Sequence, residues 1–215
     1  MSANLLSLPG ELRKAIFQQL LVDHELIAPS IRVYPLRPLS PELLRVNKAI
    51  QHEASSLLYS HNCFELTACD PKHLISFIDK IGRNNASRIQ HIYIEFPDIL
   101  DLGTDSVTLW DDRVRFFAKI QSDCTDLRTI TTSLRSTNAM ALKLDTLANP
   151  NAVGEALALV DTQFKAITSL KQIVVEVYED GPSAALRNTM ESYGWTIKVT
   201  QKRKSWNSTG IPMGL

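Results

Sequence analysis

The chain has 215 residues, 44% of them hydrophobic, and 23 basic side chains offset 23 acidic ones for a formal charge of zero. That length suits one compact domain, or one domain with a small appendage, and the neutral balance removes the electrostatic footprint of broad nucleic-acid binding. No apolar run reaches the ~20 residues that span a bilayer, so neither nucleic acid nor a membrane is expected as a partner.

The first residues, MSANLLSLPGELRK, put their charges after the leucines, the reverse of a secretory signal. Cys63, Cys69 and Cys124 form an odd set without a CxxC spacing, which predicts free thiols in a reducing compartment, cytoplasmic or nuclear. The triplets Asn85-Ala86-Ser87 and Asn207-Ser208-Thr209 would be glycosylated only in an exported chain and are read as chance.

A first helix is predicted over residues 8–21, LPGELRKAIFQQLL, with Ser7 or Leu8 at the cap, Pro9 at or near the first helical position and Glu11 at the positive end of the dipole. Leu8, Leu12, Ile16 and Leu20 recur every four residues, and Leu5, Phe17 and Leu21 widen that stripe. A helix this apolar must be covered on more than one side, by its own domain or by a second protein. Pro29, Pro35 and Pro38 then exclude helix from residues 22–40 and allow at most short edge strands, such as residues 31–34. Ser40-Pro41-Glu42 repeats the cap-and-proline start and predicts a helix to about Tyr59, buried through Leu43, Val46, Ile50, Ala54, Leu57 and Leu58. NCFELT, residues 62–67, reads as a short strand, and Asp70-Pro71 opens a third helix that Gly82 closes.

Four strand-like segments follow, beginning at residues 89, 127, 170 and 195, each preceded by a helical stretch (residues 73–81, 113–120, 152–167 and 183–193). Strands alternating with helices predict a mainly parallel α/β sheet with right-handed crossovers. The first three segments share one template, an apolar residue, two positions, an apolar residue and then alternation. That resembles a leucine-rich repeat, whose period is about 20–29 residues. The separations here are 38, 43 and 25 residues, with the excess in loops expected over residues 98–110 and 135–151. The expected fold is therefore α/β, either a degenerate repeat-like βα array or an ordinary open sheet.

The opening helix resembles the first helix of an F-box, the short module that docks on the Skp-type adaptor of cullin-RING ubiquitin ligases. The match rests on Leu8-Pro9, Glu11-Leu12, Ile16-Phe17 and Leu20. Residues 43–66, LLRVNKAIQHEASSLLYSHNCFEL, resemble the continuation found in F-box-like proteins of filamentous fungi, through Ile50, Glu53-Ala54, Leu57-Leu58-Tyr59 and Asn62-Cys63-Phe64. Ile81-Gly82, Asn85-Ala86 and the run from Ile89 through His91, Ile92, Ile94 and Phe96 to Pro97 extend the likeness to residues 6–97. It implies an F-box-like helical region over residues 1–68 with a proline-bearing insert at 22–40. A βα array resembling degenerate leucine-rich repeats would follow over residues 69–204, then a flexible tail over 205–215. It further implies a Skp-type partner held by Leu8, Pro9, Leu12, Ile16, Phe17 and Leu20, and an unknown protein client. A standard F-box joins its first two helices by a short turn, where residues 22–40 intervene here; Glu11-Leu12-Arg13 fits the first of two Glu-x-Arg motifs in a related domain type, and the second helix has no counterpart.

The residues support docking apart from the resemblance, because four or five leucine-sized groups at ~1.5–3 kcal/mol each can hold a partner. The competing reading makes the same residues core, pinned by Leu43, Val46 and Ile50. No catalytic constellation stands out. His52-Glu53 begins a zincin-like pattern, but position 56 is Ser, and no GxSxG, GxGxxG or phosphate loop exists. His24, His61, His73 and His91 are scattered singly; Cys63 near His61 reads as a buried apolar cysteine; Asp111-Asp112 suits a helix start, and Glu179-Asp180 lies at a loop or helix edge. Lys202-Arg203-Lys204 before Trp206 reads as a soluble tail. No catalytic residue, metal or cofactor is assigned. The expected function is a protein–protein adaptor, the substrate-recognition subunit of a Skp-cullin-F-box type ligase, presenting residues 97–112 and 135–152 to its client. A stand-alone module binding a peptide, protein or small ligand is the alternative, and an enzyme assembled from dispersed polar residues a third.

Overall fold

The computed structural model describes residues 5–23, 25–27, 40–67, 70–100, 107–147 and 149–201. The edge strand expected at residues 31–34, the basic run 202–204 and the tail 205–215 lie outside the described residues.

Capping side chains start most helices where the sequence places them. A 3-10 turn, Leu5–Ser7, precedes α1 (Gly10–Leu21), whose cap is Pro9 itself. Side-chain oxygens of Asn47, Asp70, Ser133, Asn149 and Ser183 accept first-turn N–H groups of α2 (Lys48–His61), α3 (Pro71–Ile81), α6 (Leu134–Asp145), α7 (Pro150–Lys165) and α8 (Ala184–Ser192). The remaining helices are α4 (Arg83–Ala86) and α5 (Asp111–Asp123). Gly82 ends α3 at φ +78°, and Gly194 turns the chain after α8 at φ +87°, a backbone region that favours glycine.

The single helix expected from residue 41 is two elements, a 3-10 turn Pro41–Arg45 and α2. Asn47 breaks them apart in extended backbone and caps α2 by accepting from the Ile50 N–H at 2.9 Å. The break resets the helical phase. Val46, expected on the buried face, is 59% exposed, whereas Ile50, Ala54, Leu57 and Leu58 are buried.

Strands β1 (Leu26–Ile27), β2 (Cys63–Glu65), β3 (His91–Ile94), β6 (Thr129–Thr132), β7 (Gln172–Tyr178) and β8 (Thr196–Thr200) form one six-stranded sheet. They lie in that order and every pairing is parallel. The expected mainly parallel α/β sheet is therefore present. Because each crossover steps the same way, right-handed connections carry the helices to one face. Burial agrees with this. Phe64, Ile92, Ile130 and Ile173 stand side by side in register and are all buried, and β7 alternates buried Ile173, Val175 and Val177 with half-buried Val174, Glu176 and Tyr178. On the covered face α3, α5, α7 and α8 pack side by side. A run of rings, Phe117 on Phe164 on Trp195 on Phe96, joins them to the sheet at centroid distances of 5.7, 5.6 and 6.2 Å. Buried Asp161 is satisfied within this cluster, accepting from Trp195 Nε1 at 3.0 Å and pairing with Lys165 at 2.6 Å.

Two expected loops carry structure. Residues 98–110 include a small antiparallel pair, β4 (Ile99–Leu100) with β5 (Thr108–Leu109). Residues 135–151 are mostly α6, which buries Thr137, Met140, Ala141 and Leu144 at helical spacing and packs on β7. Asn138 Oδ1 fixes that contact by accepting from the Tyr178 N–H at 3.1 Å.

One side chain joins the N-terminal helices to the sheet. Asn62, 2% exposed, donates through Nδ2 to the carbonyls of Leu21 and Leu58, at 2.7 and 2.8 Å, and accepts from the Asp23 N–H at 2.8 Å. It thus caps the ends of α1 and α2 and aims the chain into β1, while its neighbour Phe64 stacks on Tyr59 at 5.7 Å. Asn62→Leu leaves two carbonyls and one N–H without partners, and about 2–3 kcal/mol of stability is expected to be lost in urea unfolding.

Candidate functional site

Two surfaces among the described residues bear on the expected partners. The first is the outer face of α1. Arg13, Phe17 and Leu21 follow one another at four-residue spacing. Phe17 and Leu21 are fully buried, and Arg13 reaches α2, where Nε and Nη2 donate to Glu53 Oε2 and Oε1 at 2.9 and 2.7 Å. Its Nη1 donates to the Leu8 carbonyl at 2.6 Å. The two-pronged bond holds the Glu53 carboxyl below its usual range and fixes the rotation of α1 on α2.

That rotation sorts the residues expected to bind a partner. Leu12, Ile16 and Leu20, one position earlier on the helix, are 53, 36 and 37% exposed. Leu8 is half-buried and Pro9 exposed beside them. Phe17 lies apart, enclosed in the core at 0% exposure. Sequence spacing merged two adjacent stripes, and burial separates them.

The second surface is the sheet face opposite the helices. A cleft of about 590 Å³ lies on it, and all six strands contribute a residue: Leu26, Glu65, Tyr93, Thr131, Glu176 and Lys198. Tyr93 reaches across β6 to donate its hydroxyl to Glu176 Oε2 at 2.7 Å, and Lys198 Nζ meets Glu176 Oε1 at 2.8 Å. The Tyr93 hydroxyl also accepts from the Leu134 N–H at 3.3 Å. Burial first, and then the bond to Glu176, pushes this phenol well above its ordinary value, so it stays a donor. His91 Nε2 lies 2.9 Å from Thr131 Oγ1, and Thr67 donates to Glu65 at 2.7 Å. These polar residues occupy the non-apolar half of each strand's alternation. The apolar half of that alternation identifies the strands, and the polar half marks the exposed face.

Residues considered for chemistry do not converge. His52 Nε2 is 3.2 Å from Arg88 on the surface, and His73 is exposed. Cys63 and His61 do line one cleft, of about 430 Å³. Burial, with the charges of Glu176 and Glu65, pushes the Cys63 thiol up to about 12, and His61 instead faces the Ser60 hydroxyl at 2.7 Å. A thiol in that state is not a nucleophile near neutral pH. Asp111 and Asp112 sit in the first turn of α5, and Glu179 and Asp180 in a turn after β7. Among the described residues no three His, Cys, Asp or Glu side chains gather as metal ligands, and no helix is long and apolar enough to cross a membrane.

Burial, then the charge of Lys198, holds the native His91 imidazole below its ordinary 6.5, so the unfolded chain takes up this proton first as pH falls. The stability tied to the neutral ring is complete above that value and declines as pH drops toward the native one. Urea unfolding at stepped pH is expected to trace this loss in the parent chain and a shallower one in His91→Gln.

Comparison with family models, with curated proteins and with solved structures found no match.

Proposed function

We propose that the chain is a protein–protein interaction adaptor whose α1 docks a Skp-type partner while its βα region holds a client, as in the substrate-recognition subunit of a Skp-cullin-F-box ligase. The observation that carries this reading is the accessible ridge of Leu12, Ile16 and Leu20 on a helix whose other apolar stripe is fully used. The likeness to leucine-rich repeats draws support from the sheet, because six parallel strands in sequence order with helices on one face leave the other face open.

Magnitudes limit what the ridge can do alone. The three side chains are about half covered already, so burying the rest yields about 2–4 kcal/mol in total. A micromolar complex needs about 8 kcal/mol. The ridge therefore anchors an interface that extends beyond α1, and exposed Pro9 and Leu6, 44% accessible, are its nearest apolar continuation along the chain. The polar cleft on the open sheet favours a second reading, a stand-alone binding module without the ligase contact. Such a module needs the cleft and not the ridge.

Co-purification with a Skp-type protein separates the two. Leu12→Asp combined with Ile16→Asp is expected to abolish capture while the melting curve stays near that of the parent chain, because each side chain already keeps a third or more of its surface in water. Absence of capture by the parent chain, or unfolding of the double variant, contradicts the adaptor reading.

A further inference from the structure

The last strand of the sheet reads alike in both directions. β8 is Thr196-Ile197-Lys198-Val199-Thr200, with threonine at each end, a β-branched apolar residue on each side of the centre and lysine at the centre. Register on β7 assigns its two faces. Ile197 and Val199 stand beside Val175 and Val177, which are fully buried under the helices, whereas Lys198 stands beside Glu176 on the open face. Val199 is nevertheless 50% exposed, so an apolar residue on the helix-covered face reaches the rim of the sheet with half its surface in water. Neither glycine nor proline interrupts the strand, and its register on β7 is continuous over all five residues.

The near-palindrome gives this edge a complement in itself. Two copies of a strand related by a two-fold axis run antiparallel, with residue i opposite j and j opposite i. An axis through Lys198 sets Ile197 of each copy opposite Val199 of the other on the covered face, and Thr196 opposite Thr200 on the open face. Both are favourable cross-strand pairs, and each half-exposed Val199 gains an apolar neighbour. Lysine on an edge strand ordinarily guards against such pairing. Here the Lys198 ammonium leans inward and donates to Glu176 Oε1 at 2.8 Å, so each lysine that meets the axis brings its own counter-charge. The other edge strand, β1, has two residues, too few for such a ladder.

We infer that β8 pairs with β8 of a second copy, antiparallel about Lys198, and joins two six-stranded sheets into one. A five-residue ladder closes about four to six hydrogen bonds and covers less than the roughly 1,200 Å² of a stable interface. The dimer is therefore a weak one, formed at about 100 μM and above. The inference goes beyond the adaptor reading. β8 is the edge opposite β1 and β2, where Asn62 ties in α1, so pairing leaves the α1 ridge free and either reading can fail without the other.

The test is sedimentation velocity of the full chain from about 5 to 500 μM, which is expected to show a reversible monomer–dimer equilibrium. Val199→Lys, at an already exposed position, is expected to keep the parent melting curve and raise the dissociation constant about tenfold, since symmetry breaks two Ile–Val pairs at once. Disulfide trapping at high concentration reads the register, with the parent chain as control for Cys63, Cys69 and Cys124. Lys198→Cys is expected to cross-link, because residues facing each other at the axis have Cα atoms about 5 Å apart. Val199→Cys is not, because its two copies stand more than about 7 Å apart. A parent chain that stays monomeric overturns the inference. Hydrogen exchange then names the alternative: protection of every β8 amide means that residues beyond 201 cover the edge, and fast exchange at alternate amides leaves it to a different protein. Equal association of the parent chain and Val199→Lys, or cross-linking of both cysteine variants or of neither, overturns it equally.

Discussion

The carboxamide of Asn62 decides how this chain is put together. It sits buried where α1 ends, α2 ends and β2 begins, and its three hydrogen bonds leave no freedom in how those elements meet. A buried amide is costly unless fully satisfied, so the three backbone groups and the side chain specify one another. With the far end of α1 fixed in this way, the Arg13–Glu53 pair sets its rotation, and that rotation turns Phe17 and Leu21 inward. The exposure of Leu12, Ile16 and Leu20 follows from those two constraints.

The sheet imposes a second asymmetry. Six parallel strands laid down in sequence order receive their helices on one side, so apolar residues concentrate there and polar ones collect opposite. On the covered side the aromatic run through Trp195 binds helix to strand; on the open side Tyr93 and Lys198 converge on Glu176. The ridge lies on α1 and the polar cleft on the open sheet face, and Asn62, which bonds the ends of α1 and α2 just before β2, links the two regions.

Much of the architecture was legible in the sequence. Cap-and-proline starts located α1 and α3, and apolar alternation located β3, β6, β7 and β8, because both signals come from local backbone chemistry. Errors arose where two local signals competed. Residues 41–61 carry a continuous helical period, yet Asn47 is a better cap than helix interior, and the chain breaks there and turns Val46 outward. Residues 134–145 contain the spacing of Thr137, Met140, Ala141 and Leu144, but serine, threonine and asparagine near the start masked a helix that Ser133 caps. On α1 the residues of the ridge were legible, whereas the division between ridge and core was not, since it depends on the distant Glu53. The cleft was not legible at all. Its members are spread over more than 170 positions, from Glu25 to Lys198, and only strand register brings them together.

The central claim is that α1 spends one apolar stripe on the core and keeps its neighbour accessible. Hydroxyl-radical footprinting of the folded chain, read residue by residue by mass spectrometry, tests it most directly. Leu12, Ile16 and Leu20 are expected to oxidise at a substantial fraction of their rates in the unfolded chain, with Phe17 and Leu21 strongly protected. Protection of all five side chains to the same degree would contradict the account.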